Sequence, residues 1–503
     1  MKIPAPASKL LALTVLAFSQ AVFAADSTVT PASDSLKLPA IFADNMVLQQ
    51  QQPVPVWGWS APGAKVTVKF AGQSKSTHAD RQGVWRVKLG KLTASFTPQS
   101  LVIESGGTKV FTNILVGEVW LCSGQSNMEK PIDGRPWWKP CFNSTQELAA
   151  ANFPAIRLFK VEQTLAHEPL SDFKKIDAWR LCDSNALQTI SFSAAAYFFG
   201  REIQTNLNVP VGLIESSWGG TRIEPWTPKA GFDSVPSLVK LGIPVAKSTA
   251  VHPTTPMAIY NAMIAPMVGF AIRGALWYQG ESNLSGAANE TDYLTYAEKM
   301  AALIGGWRKI WDEGNFPFYF VQIAPYRYNG RDKATSSPER LPEFWTIQSR
   351  AARTIKNTGM VVTTDLVDDL DDIHPRDKEN VGHRLALLAR NKTYGEKDVV
   401  ASGPVFKQMK IEGNKATLTF DNADGGLISR DGQPLTWFGI AGQDGKFVDA
   451  DIKIVGDTLE LSSTDVEKPE AVRFAWREVA QPNFCNKAGL PAEPFTTEKP
   501  AAK

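Results

Sequence analysis

The sequence predicts an α/β fold: a largely parallel β-sheet with helices on both faces, set between two β-rich modules. Apolar runs of strand length alternate with helical segments through the middle of the chain. Before and after that segment, the pattern indicates only short strands and turns. With 503 residues, 43% of them hydrophobic and 21% charged, the chain has the size and composition of a globular protein with several domains.

The middle of the chain, residues 116–398, is where strands and helices are expected to alternate. Helical spacing of apolar side chains, together with strand-like apolar runs, indicates parallel strands joined by right-handed crossovers. Ligands of such sheets bind at the carboxyl ends of the strands. The predicted strands are 114–122, 209–215, 272–278, 317–323 and 359–365, and the predicted helices are 193–208, 293–311, 343–355 and 377–390.

Short strands and turns are predicted on either side of this segment. Residues 39–115 are expected to form a small β-sandwich, because residues 65–70 and 84–89 alternate in polarity with a period of two. Residues 399–493 are expected to form a second β-rich module. Its strand-like runs are 410–420, 451–454, 458–462 and 471–476. Residues 494–503, rich in Pro, Thr, Lys and Ala, are expected to form a loose tail.

The first 24 residues have the three parts of a secretory signal peptide. Lys2 and Lys9 give a positive start, residues 10–18 are apolar, and Val22-Phe23-Ala24 suits cleavage after Ala24. The apolar part is too short to cross a bilayer, and no later stretch is long and apolar enough. We therefore expect an exported protein, periplasmic or secreted, with a flexible leader at 25–38 and no membrane span.

Charge and cysteine content narrow the classes of partner. Loss of the two signal-peptide lysines leaves 51 basic and 51 acidic residues, and the sequence has no block of basic residues. Nucleic acid is therefore not the expected partner, and a weakly charged glycan is favoured as the substrate. No cysteine pair has the C-x-x-C spacing of a zinc site, and no metal or other cofactor is expected. Cys122 is expected to be buried and free, whereas the pairing of Cys141, Cys182 and Cys485 is left open.

The residues that directly follow the predicted strands carry chemically useful groups. Ser126 follows the first strand in a small, polar turn. Residues 217–220, 279–283 and 324–326 follow the next three, and an acidic stretch ending at His374 follows the last. Because the carboxyl ends of parallel strands meet at one edge of a sheet, we expect these residues to converge. A serine in that position is suited to act as a nucleophile.

A serine nucleophile needs a base, and His374 is the histidine best placed to supply one. Of the five histidines, it lies in the loop between the last predicted strand and the last predicted helix, within Asp368-Asp-Leu-Asp-Asp-Ile-His-Pro375. An acid two or three residues earlier, Asp372 or Asp371, can hold the imidazole in the correct tautomer.

Ester hydrolysis also requires hydrogen-bond donors for the oxyanion that forms on the attacked carbonyl. The backbone N–H of Ser126 is one candidate. Gly219 and Gly220 offer further N–H groups, because a glycine lets the substrate approach the backbone closely. The side-chain amide of Gln279 or of Asn283 is a third candidate.

Taken together, these motifs resemble the sialate O-acetylesterase family, which belongs to the SGNH superfamily of serine hydrolases. The resemblance extends over nearly the whole chain after the signal peptide. It rests on Ser-Gly-Gln-Ser126-Asn-Met, Ser-Trp-Gly-Gly220-Thr, Trp-Tyr-Gln279-Gly-Glu-Ser-Asn283 and Asp372-Ile-His374-Pro. It implies an SGNH-hydrolase-like, flavodoxin-like sheet and an exported, metal-independent serine esterase that removes O-acetyl groups from sugars.

The resemblance also implies roles for individual residues. Ser126 would be the nucleophile that forms an acetyl-enzyme, and His374 the general base. The superfamily spaces its acid as D-x-x-H, which selects Asp371, whereas the family motif selects Asp372. The implied oxyanion donors are Ser126, Gly219 or Gly220, and Gln279 or Asn283. Substrate contacts are expected from Gln125, Asn127, Trp218, Arg222, Trp277 and Glu281.

The sequence leaves the substrate open between two kinds of acetylated sugar. A sialic acid carries a carboxylate, for which Arg222 is a candidate partner. An acetylated xylan or xyloglucan would instead use aromatic platforms, for which the candidates are Trp218, Trp226, Trp277 and Tyr278. The alternative from another functional class is a carbohydrate-binding protein with an inactive hydrolase core, against which the presence of Ser126 and His374 argues.

Overall fold

The computed structural model describes residue 1 and residues 36–174, 178–285, 291–329, 337–423 and 425–498. Apart from residue 1, the expected signal peptide lies outside the described residues, as do most of the expected leader and residues 499–503, so these expectations stay predictions. Among the described helices, none combines the length and the apolar character that crossing a membrane requires.

In the part of the chain that the structure describes, seven strands precede the first helix. β7 pairs with β6 in antiparallel and with β1 in parallel orientation, and β3 joins β4 to β6. β2 and β5 form a separate antiparallel pair, and side chains of both layers share one apolar core. The strands are β1 (Val47–Gln49), β2 (Val54–Trp59), β3 (Lys65–Phe70), β4 (Gln73–His78), β5 (Val84–Leu89), β6 (Ser95–Glu104) and β7 (Thr108–Gly124).

Six more strands and nine α-helices form the rest of the central segment within the described residues. The strands are β8 (Asn152–Lys160), β9 (Arg180–Asp183), β10 (Val211–Ser217), β11 (Gly274–Tyr278), β12 (Phe318–Val321) and β13 (Thr358–Val361). The helices are α1 (Ser126–Glu129), α2 (Ser144–Ala150), α3 (Ser184–Thr189), α4 (Ala194–Leu207), α5 (Lys229–Phe232), α6 (Glu281–Ser285), α7 (Tyr296–Trp311), α8 (Arg340–Thr354) and α9 (Lys378–Leu388).

The central sheet has the order β13-β12-β11-β7-β10-β8-β9 and is parallel except for β9 at its edge. With β8 and β9 set aside, the five remaining strands follow the flavodoxin-like order 2-1-3-4-5. The predicted fold class is therefore confirmed. The direction of winding reverses at β7, so a crevice opens between the carboxyl ends of β7 and β11, from which the chain leads to helices on opposite faces of the sheet.

Alternating side chains of β7 fill two separate cores, one on each face of the sheet. Val119 and Leu121 pack into a core that includes side chains of α7 and α8, whereas Trp120 and Cys122 pack into one that includes side chains of α4 and α9. All four are completely buried. Burial of both faces explains why the strand sequence is continuously apolar rather than alternating.

β7 is 17 residues long and serves two sheets. Its first part pairs with β1 and β6, whereas residues 118–124 pair with β10. Gly117 lies at the crossing, where a Cβ would meet the Pro210 carbonyl oxygen at 1.9 Å. The boundary expected between residues 115 and 116 therefore falls inside a shared strand rather than in a linker.

Sequence analysis missed the edge strands β8 and β9. The apolar run of β8 is short and is interrupted by Arg157, which is nevertheless buried. Its guanidinium donates to the carbonyl oxygens of Pro154, Asn45 and Asn113, which satisfies the charged group inside the fold. Asn45 and Asn113 lie far from Arg157 in the sequence, so periodicity alone could not reveal the strand.

Among residues 399–423 and 425–498, ten short strands form small antiparallel sheets. They are β14 (Val405–Glu412), β15 (Lys415–Asp421), β16 (Leu427–Ser429), β17 (Phe438–Ala441), β18 (Val448–Asp449), β19 (Asp451–Val455), β20 (Thr458–Ser462), β21 (Ala471–Phe474), β22 (Phe484–Asn486) and β23 (Phe495–Thr496).

Two expectations for this region were wrong. The run 410–420 is a hairpin of β14 and β15, because Gly413 adopts φ +61° at the turn. The tail is not loose at residue 495, because Phe495 packs among the aromatic rings of Phe438, Phe474 and Phe484.

Gly124, the last residue of β7, should not tolerate a side chain. It adopts φ +141°, and a Cβ would lie 2.2 Å from the Tyr278 carbonyl oxygen. We expect Gly124→Ala to lower the free energy of unfolding by about 2 kcal/mol or more, measured by chemical denaturation. Gly305→Ala is the matched control: it lies on the exposed side of α7 with nothing within 4 Å of a Cβ. Equal stability of the two variants would contradict this account.

Candidate active site

The carboxyl ends of β7, β10 and β11 meet the loop after β13 around an open cleft of about 460 Å³. The β7–α1 turn contributes Ser126, the loop after β10 contributes Gly219, and the loop before α9 contributes His374. Of the residues expected to converge at this edge, the structure brings Ser126, Gly219, Gly220 and His374 together, whereas residues 324–326 do not line the cleft. Every residue that lines the cleft lies between 125 and 374, so the C-terminal strands contribute none of the described lining.

Ser126, His374 and Asp372 form a connected line of side chains. Ser126 Oγ lies 2.9 Å from His374 Nε2. On the other side of the ring, His374 Nδ1 lies 3.3 Å from Asp372 Oδ1, which also accepts a 2.9 Å hydrogen bond from the His374 backbone N–H. The imidazole thus bridges a hydroxyl and a carboxylate through its two nitrogens.

The neighbouring acid, Asp371, points elsewhere. Its Oδ1 lies 2.6 Å from Arg327 Nη1, and both side chains are largely exposed to solvent. The alternative left open between the two acids is therefore decided geometrically in favour of Asp372 as the neighbour of His374.

A tight turn between β7 and α1 sets the position of Ser126. The Gly124 carbonyl accepts a hydrogen bond from Trp218 N–H at 3.0 Å, and Gln125 N–H donates to the Tyr278 carbonyl at 2.9 Å. The turn is therefore attached to the residues after both neighbouring strands. α1 begins directly at Ser126. The serine consequently sits at the helix start with its backbone fixed on two sides.

Three side chains beneath the His374 loop hold three consecutive backbone carbonyls. Asn127 Nδ2 donates to the Ile373 oxygen at 3.0 Å, Lys130 Nζ to the His374 oxygen at 3.0 Å, and Lys378 Nζ to the Pro375 oxygen at 2.8 Å. Lys378 Nζ also donates to Asn127 Oδ1 at 2.7 Å, which links the donors. These contacts fix the backbone that carries the imidazole. Asn127 is thus a buried support rather than the substrate contact expected from the sequence.

The two lysines under the loop also act on the ionisation of His374. Both are completely buried. Burial, together with the charges of Lys378 and Lys130, lowers the pKa of His374 to about 4, although Asp372 acts in the opposite direction. Burial and Lys130 lower the pKa of Lys378 to about 7. At neutral pH the imidazole is therefore neutral and able to accept a proton.

The first part of the loop that leads to His374 is attached to α9 and to the C-terminal strands. Arg384 on α9 contacts Asp365 through both terminal nitrogens at 2.7 Å, and Arg430 contacts the same carboxylate at 2.9 Å. Gln481 Nε2 donates to the Val367 oxygen at 2.6 Å. The C-terminal module therefore braces this loop from outside the cleft.

One expected oxyanion donor, the Gly219 N–H, has a partner in the cleft. It donates to Glu129 Oε2 at 2.6 Å. A Cβ at Gly219 would lie 3.3 Å from Ser126 Cβ, which shows how closely this backbone approaches the serine. Gly220, at φ +74°, lines the cleft beside it. A bound acyl oxygen must share the Gly219 N–H with Glu129 or displace the carboxylate.

Glu129 itself is a partly buried acid that the sequence motifs did not mark as a site residue. Its Oε1 accepts a hydrogen bond from Gln163 at 2.8 Å. Burial and the nearby Glu215 raise the pKa of Glu129, although the Gly219 N–H acts in the opposite direction. Its place directly after the serine motif was the only signal in the sequence.

The two side-chain amides expected to contact the oxyanion, those of Gln279 and Asn283, are instead bound inside the protein. Gln279 Nε2 donates to Gln125 Oε1 at 3.0 Å and to Asn283 Oδ1 at 2.8 Å. Asn283 Nδ2 donates to Glu224 at 3.2 Å. Both residues are fully buried and neither lines the cleft, so this prediction was wrong. They support Gln125, which does line it.

The remaining expected substrate contacts separate into two groups. Trp218 and Glu281 line the cleft. Trp277 is completely buried between the rings of Trp226 and Trp307, because it lies within β11 rather than after it. Arg222 does not line the cleft and forms ion pairs with Glu224 at 3.0 Å and with Asp292. The expectations for Trp277 and Arg222 were therefore wrong.

A family model described as carbohydrate esterase, sialic acid-specific acetylesterase, matches residues 116–390. The chain belongs to this family. The match covers the central sheet together with Ser126, His374 and Asp372, and it confirms the resemblance inferred from the sequence motifs. The protein is therefore a carboxylic ester hydrolase that acts on acetylated carbohydrate.

Individual relatives support the same assignment to carbohydrate acetylesterases. The chain is 32% identical to the sialate O-acetylesterase of Homo sapiens over 419 residues, which cover 75% of each chain. It is 30% identical to that of Rattus norvegicus over 91% of this chain and 93% of the relative. A crystal structure of a carbohydrate acetylesterase from Xanthomonas citri has 35% identity and a TM-score of 0.82, covering 92% of this chain and all of that one.

The four cysteines of this acetylesterase are all buried and unpaired, in agreement with the expectation for Cys122. Among the described residues, no group of three or more His, Cys, Asp and Glu stands where it could hold a metal ion. The chemistry available in the cleft is that of the serine, the imidazole, the carboxylates and the backbone donors.

We expect Lys378→Met to raise the pKa of His374 from about 4 towards the ordinary value of histidine. At the acidic pH where His374 titrates, Lys378 is protonated and disfavours the imidazolium, so its loss makes protonation easier. NMR titration of isotope-labelled histidine side chains measures the change.

Lys407→Met is the matched control for this titration, because it removes an equal charge from the exposed face of β14, far along the chain from the cleft. It should leave the titration of His374 unchanged. An unaltered titration midpoint in Lys378→Met would contradict the electrostatic role assigned to that lysine.

Proposed function

We propose that this acetylesterase hydrolyses O-acetyl sugar esters through a Ser126–His374–Asp372 triad and an acetyl-enzyme intermediate. The observation that carries the proposal is the 2.9 Å approach of Ser126 Oγ to His374 Nε2 in an open cleft, with Asp372 at the opposite ring nitrogen. This is the geometry that a nucleophile, its base and an orienting acid require.

In the first step, Ser126 Oγ attacks the acetyl carbonyl carbon while His374 Nε2 accepts the hydroxyl proton. Asp372 next to Nδ1 holds the N–H of the other nitrogen and stabilises the imidazolium that forms. The tetrahedral intermediate then collapses. The bond between the carbonyl carbon and the sugar oxygen breaks, and His374 returns the proton to that oxygen, which leaves the acetyl group on Ser126.

Backbone donors stabilise the negative charge of the tetrahedral intermediate. The proposed donors are the Ser126 N–H at the start of α1 and the N–H of Gly219, whose backbone lies close to the serine. Glu129 occupies the Gly219 N–H until a substrate oxygen takes it over. The amides of Gln279 and Asn283 have no part in this scheme, because they are bound in the interior.

In the second step, water attacks the acetyl-enzyme with His374 again as the base, and acetate leaves as Ser126 recovers its proton. The lowered pKa of His374 keeps the imidazole in its basic form well below neutral pH. Activity should therefore extend into moderately acidic conditions and fall only as the pH approaches about 4.

Export is part of the same proposal. The signal-peptide pattern of residues 1–24 supports release of the mature enzyme into the periplasm or the medium, after cleavage at Ala24. Extracellular glycans would then be accessible to the cleft.

The names of the mammalian relatives make an O-acetylated sialic acid one candidate substrate. A neutral acetylated glycan is the second candidate. The observation that favours the second is the absence of Arg222 from the cleft, together with the presence of the Glu129 carboxylate beside Ser126.

Ser126→Ala should reduce kcat/KM for 4-nitrophenyl acetate by at least about 10³-fold, because the nucleophile is removed. Ser123→Ala, at the adjoining end of β7, is the control: its hydroxyl is buried and has no hydrogen-bond partner among the described residues, so its loss should leave the rate near that of the wild type. Full activity of Ser126→Ala, measured in the same spectrophotometric assay, would remove the mechanism.

Asp372→Asn should lower kcat by about 10²-fold or more, because the amide cannot hold the imidazole in its basic tautomer or stabilise its cation. Asp371→Asn makes the same chemical change one residue away, at a carboxylate paired with Arg327, and should retain activity close to wild type. The reverse ranking of the two variants would assign the acid to Asp371.

A further inference from the structure

A second cavity, of about 690 Å³, lies directly beside the catalytic cleft. It is formed by the loop after α1, by the residues that follow β8 and by the turn between α3 and α4. Glu129, Trp137, Trp138 and Gln163 line both cavities, so the two spaces adjoin. The volume falls within the range of about 300–1,000 Å³ that is usual for pockets enclosing a ligand much larger than an acetyl group.

The chemistry of ester cleavage determines where the sugar must lie. His374 Nε2 returns a proton to the sugar oxygen, so the sugar is adjacent to the imidazole in the transition state. The Trp138 ring stands edge-on to the His374 ring with 5.8 Å between centroids. A sugar next to the imidazole therefore lies against Trp138 and faces the entrance of the second cavity.

The wall between the two cavities is aromatic and exposed. Trp137 is 73% exposed, the largest exposed fraction among the tryptophans of the described residues, and its ring lies edge-on to Trp138 with 6.2 Å between centroids. Indole faces carry partial negative charge, which attracts the C–H groups of a pyranose ring. An exposed tryptophan pair beside a catalytic serine therefore suits stacking of sugar rings.

The charged groups around the second cavity are paired with protein groups. Lys160 Nζ lies 3.1 Å from Glu215 and donates to the Ser191 oxygen at 2.6 Å. Glu129 accepts hydrogen bonds from Gly219 and Gln163. Arg135 donates to the Gln188 oxygen at 3.1 Å and lies 3.9 Å from Asp133. Such pairing favours a neutral chain over a sugar that carries a carboxylate.

We propose that this second cavity binds neighbouring sugar units of a neutral O-acetylated oligosaccharide, with Trp137 and Trp138 as the stacking platform. The proposal rests on the function proposed for Ser126 and His374 and names the substrate class of that site. The acetylated unit occupies the catalytic cleft, and the glycan continues past Trp138 into the larger space.

The test compares three acetyl esters: an O-acetylated xylo-oligosaccharide, the O-acetylated methyl xyloside and 4-nitrophenyl acetate. We expect the wild type to have a kcat/KM about tenfold higher for the oligosaccharide than for the methyl xyloside. Trp137→Ala should abolish this preference, mainly through a higher KM for the oligosaccharide.

Trp437→Ala is the matched control, because Trp437 is also exposed (37%) but lies in the C-terminal module. It should keep the preference for the oligosaccharide. Calorimetric titration of Ser126→Ala, alone and combined with Trp137→Ala, with the oligosaccharide gives a second measurement that does not depend on turnover, and only the double variant should lose binding.

Equal kcat/KM for oligosaccharide and methyl xyloside in the wild type would overturn this proposal, as would a higher kcat/KM for O-acetylated sialic acid than for the oligosaccharide. An unchanged preference in Trp137→Ala would overturn it as well. A failure of the proposed function can be distinguished from a failure of this proposal, because in the first case Ser126→Ala would retain hydrolysis of 4-nitrophenyl acetate.

Discussion

The hydrogen bonds that hold the carbonyls of residues 373–375 are the constraint on which the site depends. Two of the three donors are lysines with no exposure to solvent, and the burial of two like charges under one loop opposes folding. Hydrogen bonds to the backbone carbonyls and to the Asn127 amide oxygen compensate for the hydration that the two lysine ammonium groups lose on burial. Burial is the main cause of the lowered pKa of His374, and the charges of the same two lysines, which lie close to the imidazole, lower this pKa further.

The sheet order explains how a short polar turn can hold Ser126, the proposed nucleophile, in a fixed position. β7 lies between β10 and β11, so the turn after it is attached to both, through the Gly124 carbonyl and the Gln125 N–H. Ser126 and Gly219 consequently follow adjacent strands of one sheet. His374, the proposed base, comes from a loop at the far end of the segment, which explains why it needs the separate buried support described above.

Local sequence patterns predicted the strands and the edge of the sheet at which the cleft lies. This was possible because the carboxyl ends of parallel strands lie at one edge of a sheet for any conformation of the connecting loops. What the patterns could not predict depends on side-chain direction over two or three residues. Asp371 and Asp372 are neighbours in the chain, yet one faces Arg327 and the other faces His374. Arg222 and Trp277 carry the right chemical groups, but they point into the interior.

The amides of Gln279 and Asn283 are a second case in which the sequence pattern did not predict the direction of a side chain. A polar residue in a family motif suggests contact with the substrate, but a motif can equally preserve a buried network. Here the two amides hold Gln125 and the loop after β10 in place. The aromatic pair Trp137 and Trp138 lies outside the strand ends, so no periodic pattern marked it.

The strand shared by two sheets has a further consequence. β7 passes from the N-terminal strands into the centre of the catalytic sheet without a linker. The N-terminal strands and the catalytic sheet therefore cannot be separated into two independently folding domains. Excision at residue 115 would leave the catalytic strand without its first half and uncover apolar side chains such as Leu115 and Val116. The catalytic sheet and the N-terminal strands should therefore unfold as one cooperative unit. A recombination event that transfers one of them to another protein must transfer the other as well.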